Sequence, residues 1–162
     1  MRKSAFAVIV LVMVSACSSI DCSINNIVLS VYQLAKGEGI ADTLKADTLT
    51  IYTRRANGRD TILLNRSVNT SLFRLPMGQT SATDTLVFNL RDTFNAQLID
   101  TIYISKENMP RFESVDCNIM FIHNVTGIRS THNAIDTIQI VKTLVNNDSL
   151  QPNFHIYFKN RD

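Results

Sequence analysis

Leu49-Thr-Ile-Tyr-Thr-Arg-Arg-Ala-Asn-Gly-Arg-Asp-Thr-Ile-Leu-Leu64 decides the fold of this chain. Two β-prone runs, Leu49–Thr53 and Thr61–Leu64, flank Asn57-Gly58. Both of those residues tolerate positive φ, so the pair predicts a type I′ hairpin turn. Outward from this hairpin, apolar residues keep recurring at every second position. They do so at Ile27, Leu29 and Val31; Leu86, Phe88 and Leu90; Ile102 and Ile104; Ile138 and Ile140; and Phe154, Ile156 and Phe158. The same spacing runs through Cys117, Ile119, Phe121 and His123. Period two is the signature of half-buried strands, and the Thr, Val, Ile, Phe and Tyr that dominate these runs suit a pleated surface. No window carries a capped helical stripe. Pro76, Pro110 and Pro152 stand at the ends of apolar runs, where a missing N–H breaks no ladder. About eight to ten short strands at this spacing predict an all-β protein built as a single antiparallel β-sandwich. The chain has no Trp, so the Cys…Trp…Cys signature is lacking and the sandwich is immunoglobulin-like in architecture only.

The first residues follow a different logic. Arg2 and Lys3 precede an apolar run from Ala5 to Val14, and small residues then lead to Cys17. This is the pattern of a secretory signal peptide over residues 1–16. An apolar run of about ten residues is half of the roughly 20 needed to span a bilayer, so the segment is no permanent anchor. Val14-Ser-Ala-Cys17 resembles the bacterial lipobox, which implies cleavage before Cys17 and lipid on its sulfur. Residues 17–26 then form the lipidated cysteine and a short tether, and residues 27–162 the β-sandwich domain. Removing Arg2 and Lys3 leaves 14 basic residues against 14 acidic ones. A chain near neutrality has no surplus to draw it to nucleic acid. With Cys17 assigned to lipid, Cys22 and Cys117 remain, either as a disulfide or as two buried thiols. An oxidising envelope favours the disulfide, and a loop of about 100 residues would gain up to roughly 4.7 kcal/mol from it.

Seven of the eleven aspartates are followed by threonine, where random order would give about one. The acceptor positions are Thr43, Thr48, Thr61, Thr85, Thr93, Thr101 and Thr137, each followed by an apolar residue, with Ser149 as a close variant. A plain structural account exists: Asp closes a turn, Thr opens a strand, and the apolar residue takes the first inward position. The tripeptide also resembles the acceptor motif for periplasmic O-glycosylation in Bacteroidota, which makes Thr43, Thr48, Thr61, Thr85, Thr101, Thr137 and Ser149 candidate sugar sites. Thr43 and Thr48, in a polar stretch, are the favoured ones.

The three histidines, His123, His132 and His155, sit beside no other ligand type at zinc spacing, so no metal site is expected. His123 continues an inward parity and reads as a hydrogen-bonded core residue; His155 alternates with Phe154 and Ile156 and reads as solvent-facing. Thr131, His132 and Asn133 gather polar groups just ahead of a strand. They read either as a loop that satisfies its own backbone or as a binding loop at a sandwich end. With no nucleophile elbow, phosphate loop or calcium loop in the sequence, neither a catalytic residue nor a cofactor is expected, and the chain reads as a non-enzyme.

Several stretches together resemble a family of small Bacteroidota lipoproteins, domain of unknown function 6452. They are Cys17 with Cys22, Leu75-Pro76 ahead of Asp84-Thr-Leu-Val-Phe88, Val115-Asp-Cys117, Ser130-Thr-His-Asn-Ala-Ile-Asp-Thr-Ile138 and Phe154-His-Ile-Tyr-Phe158. Asn118 stands where glycine is expected. The resemblance implies an envelope lipoprotein with a β-rich domain, supports pairing Cys22 with Cys117, and brings no established activity. The expected role is a non-catalytic accessory or structural protein held in the outer membrane by lipid on Cys17, with an outer-membrane β-barrel or other envelope protein as partner. Two or three acyl chains make release from a bilayer slow. Ser18 favours the outer membrane, and the single acidic Asp21 near the lipid slightly favours the periplasmic face over the cell surface. The alternative is a surface module for a glycan or host ligand, which would gather Tyr32, Tyr52, Tyr103 or Tyr157 along one groove.

Overall fold

Period-two alternation builds most of the strands, but the first run is out of phase: Ile27 and Leu29 are exposed, while Val28, Ser30, Tyr32 and Leu34 are buried. In the computed structural model, residues 27–54, 58–94, 96–112, 114, 117–147 and 151–159 are described. Residues 1–26, where a signal peptide, the lipidated Cys17, Cys22 and a tether are expected, and Ser149 lie outside the described residues. Among the described residues there are eleven strands and no helix: β1 (Leu29–Lys36), β2 (Ile40–Ala41), β3 (Thr48–Arg54), β4 (Asp60–Ser67), β5 (Leu72–Pro76), β6 (Thr83–Arg91), β7 (Gln97–Arg111), β8 (Met120–Ser130), β9 (Ile135–Ile140), β10 (Leu144–Val145) and β11 (Phe154–Phe158). One sheet runs β10-β8-β7-β6-β3-β4, antiparallel throughout. The other runs β2-β1-β11-β9, with β5 also paired to β1. Leu34 donates its N–H to Ser71 and accepts from Asp42 N–H, so β2 and β5 lie end to end along one edge of β1. The two sheets stack as a β-sandwich. One pairing departs from the antiparallel expectation, since β1 and β11 run parallel.

The core lies between the sheets. Leu49, Ile51, Phe88, Ile102 and Ile104 from the six-stranded sheet are almost wholly buried, as are Leu34, Leu75, Phe154 and Ile156 opposite them. Register places the central aromatic stack. Tyr32 pairs with Phe73 on one side and Phe154 on the other, and its ring stacks on them at 5.2 and 4.9 Å between centroids. Phe73 reaches across to Phe88 at 6.1 Å and joins the layers. Offset stacking of this kind adds about 0.5–1.5 kcal/mol per pair beyond area burial.

β3 and β4 form a hairpin, with Arg54 paired to Asp60. Gly58 adopts φ +76, as the sequence anticipates for that position, while Asn57 lies outside the described residues. In β8 the inward parity from Cys117 does not hold. Ile119 is exposed and Cys117 half-buried, whereas Met120 and Ile122 pack against the core. Further along, Ser105 pairs with Gly127 but Lys106 with Val125, a bulge that lets both His123 and Ile128 face inward.

The register also sorts the loops into two ends. Val28 leads into β1 beside Met77, whose N–H donates to Val28 O at 3.1 Å. This entry end carries the β3–β4 tip, the segment after β5 and the turn from β7 to β8. The far end carries the segment from 42 to 47, the β6–β7 turn and residues 131–134.

Candidate functional site

The polar segment ahead of β9 is held by a carboxylate from β7. Asp100 points inward and is 1% exposed. Its Oδ1 accepts from Thr131 Oγ1 and the Asn133 N–H, both at 2.7 Å, and its Oδ2 from the N–H groups of Ala134 at 2.7 Å and Ile135 at 2.9 Å. Burial alone would raise the Asp100 pKa; these four donors outweigh it and hold the carboxyl below its ordinary range. Thr131 Oγ1 also accepts from Thr101 N–H, and Asn133 Nδ2 donates to Ile99 O. Thr131 and Asn133 thus spend their side chains on the chain itself. His132 is exposed between them, its Nδ1 3.3 Å from Ile135 O. Sequence reasoning identified the loop but missed Asp100, whose position in an Asp-Thr-apolar tripeptide looked like all the others.

A second polar cluster lies between the sheets at the entry end. Lys106 has no exposed side-chain surface. Its Nζ donates to Gly78 O at 2.7 Å, Ser81 O at 2.6 Å and Asn108 Oδ1 at 3.0 Å, and lies 3.4 Å from Asp84 Oδ1. Asn108 Oδ1 also meets His123 Nδ1 at 2.8 Å. His123 is fully buried, as the sequence anticipates, and its Nε2 has no partner. Burial, then the Lys106 charge, pushes its pKa down to about 4, so the ring is neutral and Nδ1 donates to Asn108. Burial raises the Asp84 pKa despite the Gly78 N–H and Lys106 beside it. Asp84 borders a half-open cleft of about 290 Å³ whose walls include Tyr32, Thr53, Thr61, Leu63 and Met77. The Tyr32 hydroxyl, buried and accepting from Ser30 Oγ, has its pKa raised by that burial. Such a cleft can take a small apolar group with a polar end that donates to Asp84.

The remaining residues singled out from sequence are dispersed. Thr43 and Thr137 are exposed, while Thr48, Thr61, Thr85 and Thr101 are half-buried. The apolar residue after Thr is buried at Leu44, Leu49, Leu86 and Ile102, but Ile62 and Phe94 are 58% and 90% exposed. The turn-and-strand account therefore covers most of the tripeptides, not all. At Asp92 the turn is plain, since Oδ1 accepts from Phe94 N–H and Ala96 N–H, both at 2.9 Å. The tyrosines do not share a groove. Tyr32 is in the core, Tyr52 and Tyr103 are half-buried on the outer face of the six-stranded sheet with Arg129 over Tyr103 at 3.8 Å, and Tyr157 bonds Gln139 on the other sheet. His155 is half-buried, packed against Tyr157 edge to face. Among the described residues, no group of three His, Cys, Asp or Glu side chains could hold a metal ion.

Two packed sheets with no helix among the described residues, and polar side chains gathered mostly onto the protein's own backbone, define a small all-β sandwich domain. More narrowly, residues 48–158 match the family of unknown function DUF6452, and the chain belongs to that family. No curated protein and no solved structure matches.

Proposed function

We propose that this protein is an envelope lipoprotein with a non-catalytic accessory role, anchored in the outer membrane by lipid on Cys17 and packing its sandwich against another envelope protein. The observation that carries the reading is the commitment of both polar clusters. Asp100 and Lys106 turn their charges onto backbone groups of the protein itself, so each braces a loop rather than presenting a charge to a substrate. The tether adds a geometric constraint. Ten residues span at most about 35 Å when extended, so the entry end would stay near the bilayer and the far end would face outward into the periplasm. The pairing of Cys22 with Cys117 belongs to the same reading and would shorten that reach; Cys117 carries a bonded sulfur rather than a titrating thiol. Sugar on exposed Thr43 or Thr137 would be compatible with it.

In-cell cross-linking followed by affinity purification from native outer membranes, read by mass spectrometry, tests the reading. A stoichiometric envelope partner that is lost in Cys17→Ala supports it. Recovery of lipidated protein without a specific partner would sink the accessory role. A chain that fractionates as soluble with an unmodified Cys17 would sink the anchor.

A further inference from the structure

Outward-facing residues near the far end of the six-stranded sheet form a second concavity, of about 240 Å³, lined by Thr48, Thr50, Asn65, Arg66, Asn89 and Arg91. Its shape follows from register. Thr48 pairs with Arg91 and Thr50 with Asn89 across β3 and β6. On the other side Leu49 pairs with Ser67 and Ile51 with Leu64, so Asn65 and Arg66 together oppose the single residue Thr50. This bulge is pinned by the Arg66 N–H, which donates to Thr50 Oγ1 at 3.1 Å. The result brings two guanidinium side chains, two amides and two hydroxyls to one hollow.

Two features suit the hollow to an anion. Arg66 and Arg91 have no ion-pair partner among the described residues, so neither charge is spent on a carboxylate there. Second, Arg66 holds φ +43, a left-handed backbone that non-glycine residues occupy at a cost of order 1–3 kcal/mol and that tends to persist at binding sites.

We propose that this hollow binds an oxyanion, a phosphate or carboxylate group carried by a small polar ligand. Arg66 and Arg91 supply forked donors that match either group, and charge-assisted bonds of this kind are about twice as strong as neutral ones. Thr48, Thr50 and Asn65 offer neutral partners for hydroxyls beside the anion. The hollow lies at the far end, opposite the point where Val28 enters β1. The site is independent of the anchor and of the accessory role, and holds whether or not either is correct.

Isothermal titration of the full chain in non-ionic detergent, with inorganic phosphate and with D-glucuronate at low ionic strength, tests the site. D-glucose serves as the uncharged control. Saturable one-site binding of phosphate alone assigns a phosphate-bearing ligand; binding of glucuronate alone assigns an acidic sugar. Arg91→Gln should weaken the bound anion roughly tenfold, and Arg91→Lys by less, because the charge stays while the fork is lost. Arg66→Gly removes the backbone strain, so that variant should melt no lower than the parent yet lose a similar factor in affinity. Failure of both anions to saturate, glucose binding as tightly as glucuronate, or unchanged affinity in the two arginine-deletion variants would overturn the proposal.

Discussion

Lys106 Nζ lies 3.4 Å from Asp84 Oδ1 across two neighbouring strands of one sheet, with 0% and 15% of their side chains exposed. The ammonium also holds Gly78 O and Ser81 O, so one side chain ties down the segment between β5 and β6. Lys106→Met would leave a largely buried carboxylate and two carbonyls without their cation. Removing one partner of a buried pair costs about 3–5 kcal/mol, while replacing both is far milder. Urea unfolding should therefore show Lys106→Met as strongly destabilised, with Asp84→Asn in the same chain recovering part of the loss. Additive effects of the two substitutions would contradict the coupling.

Gly78 must be glycine for the same cluster. A Cβ built there would lie 2.6 Å from Asp84 Oδ1. That oxygen is the one facing Lys106, and Asp84 Oδ2 is already taken by the Gly78 N–H at 3.0 Å. Gly78→Ala should displace the carboxylate and destabilise the chain by about 1–3 kcal/mol, in the range of other steric insults at packed sites. In the Asp84→Asn, Lys106→Met background the penalty should shrink, which thermal unfolding of the triple variant would read.

Asp100 makes the connection from β8 to β9 a braced corner. Its pKa is lowered, so ionised Asp100 favours the folded state. That contribution is complete above the unfolded value near 3.9 and is lost as pH falls through the lower folded value. Asp100→Asn keeps the size but replaces one acceptor oxygen with a donor facing N–H groups. A loss of about 2–4 kcal/mol at neutral pH follows from charged and unsatisfied hydrogen bonds of this type. Amide exchange at Ala134 and Ile135 should accelerate in the variant; protection equal to the parent would show that Asp100 does not hold the loop.

Period two made β6, the first half of β7 and β11 readable, because Leu86, Phe88 and Leu90, Ile102 and Ile104, and Phe154 and Ile156 obey one parity against one core. Where register shifts, parity misleads. The bulge opposite Lys106 in β8 and the doubled Asn65-Arg66 opposite Thr50 in β4 are set by cross-strand pairing, which a single run of residues does not encode. The two polar clusters were hidden for a related reason. Asp100 lies about 30 residues from the loop it binds, and Lys106 about 25 from Ser81. Nothing local distinguishes these residues from surface charges, whereas Thr131-His-Asn133 stood out because its polar residues are contiguous.

Asn153 is a further residue that only the tertiary structure reveals. Wholly buried ahead of β11, it accepts the Val31 N–H on Oδ1 at 3.0 Å and donates Nδ2 to Lys142 O and Leu144 O. Its backbone N–H donates to Val31 O and its carbonyl accepts from Val141. One amide thus joins β1, β10 and the chain after β9. Asn153→Ala leaves three backbone groups unpaired and should cost about 2–4 kcal/mol. Asn153→Asp removes the two donor contacts while keeping the acceptor, so a variant more stable than Asn153→Ala would show that the Val31 contact carries most of the effect.

His123 should give the folding stability a measurable acid limb. Its folded pKa, about 4, lies below the unfolded value near 6.5 because burial disfavours the charged ring and Lys106 repels it. As pH falls from 6.5 to 4, the unfolded chain takes a proton that the native ring refuses, so stability drops across that window, by an amount on the order of 3 kcal/mol. Asp84 opposes this at the acid end: its folded pKa is raised, and native Asp84 gains a proton before the unfolded chain does. Asn108, between His123 and Lys106, is uncharged and contributes no titration of its own. His123→Leu removes the titrating ring and leaves Lys106 its three hydrogen bonds, so the unfolding free energy of the parent minus that of the variant should fall steadily from pH 7 to pH 4. A difference that stays constant over that range would mean that His123 titrates normally in the native state and that its burial does not govern its protonation.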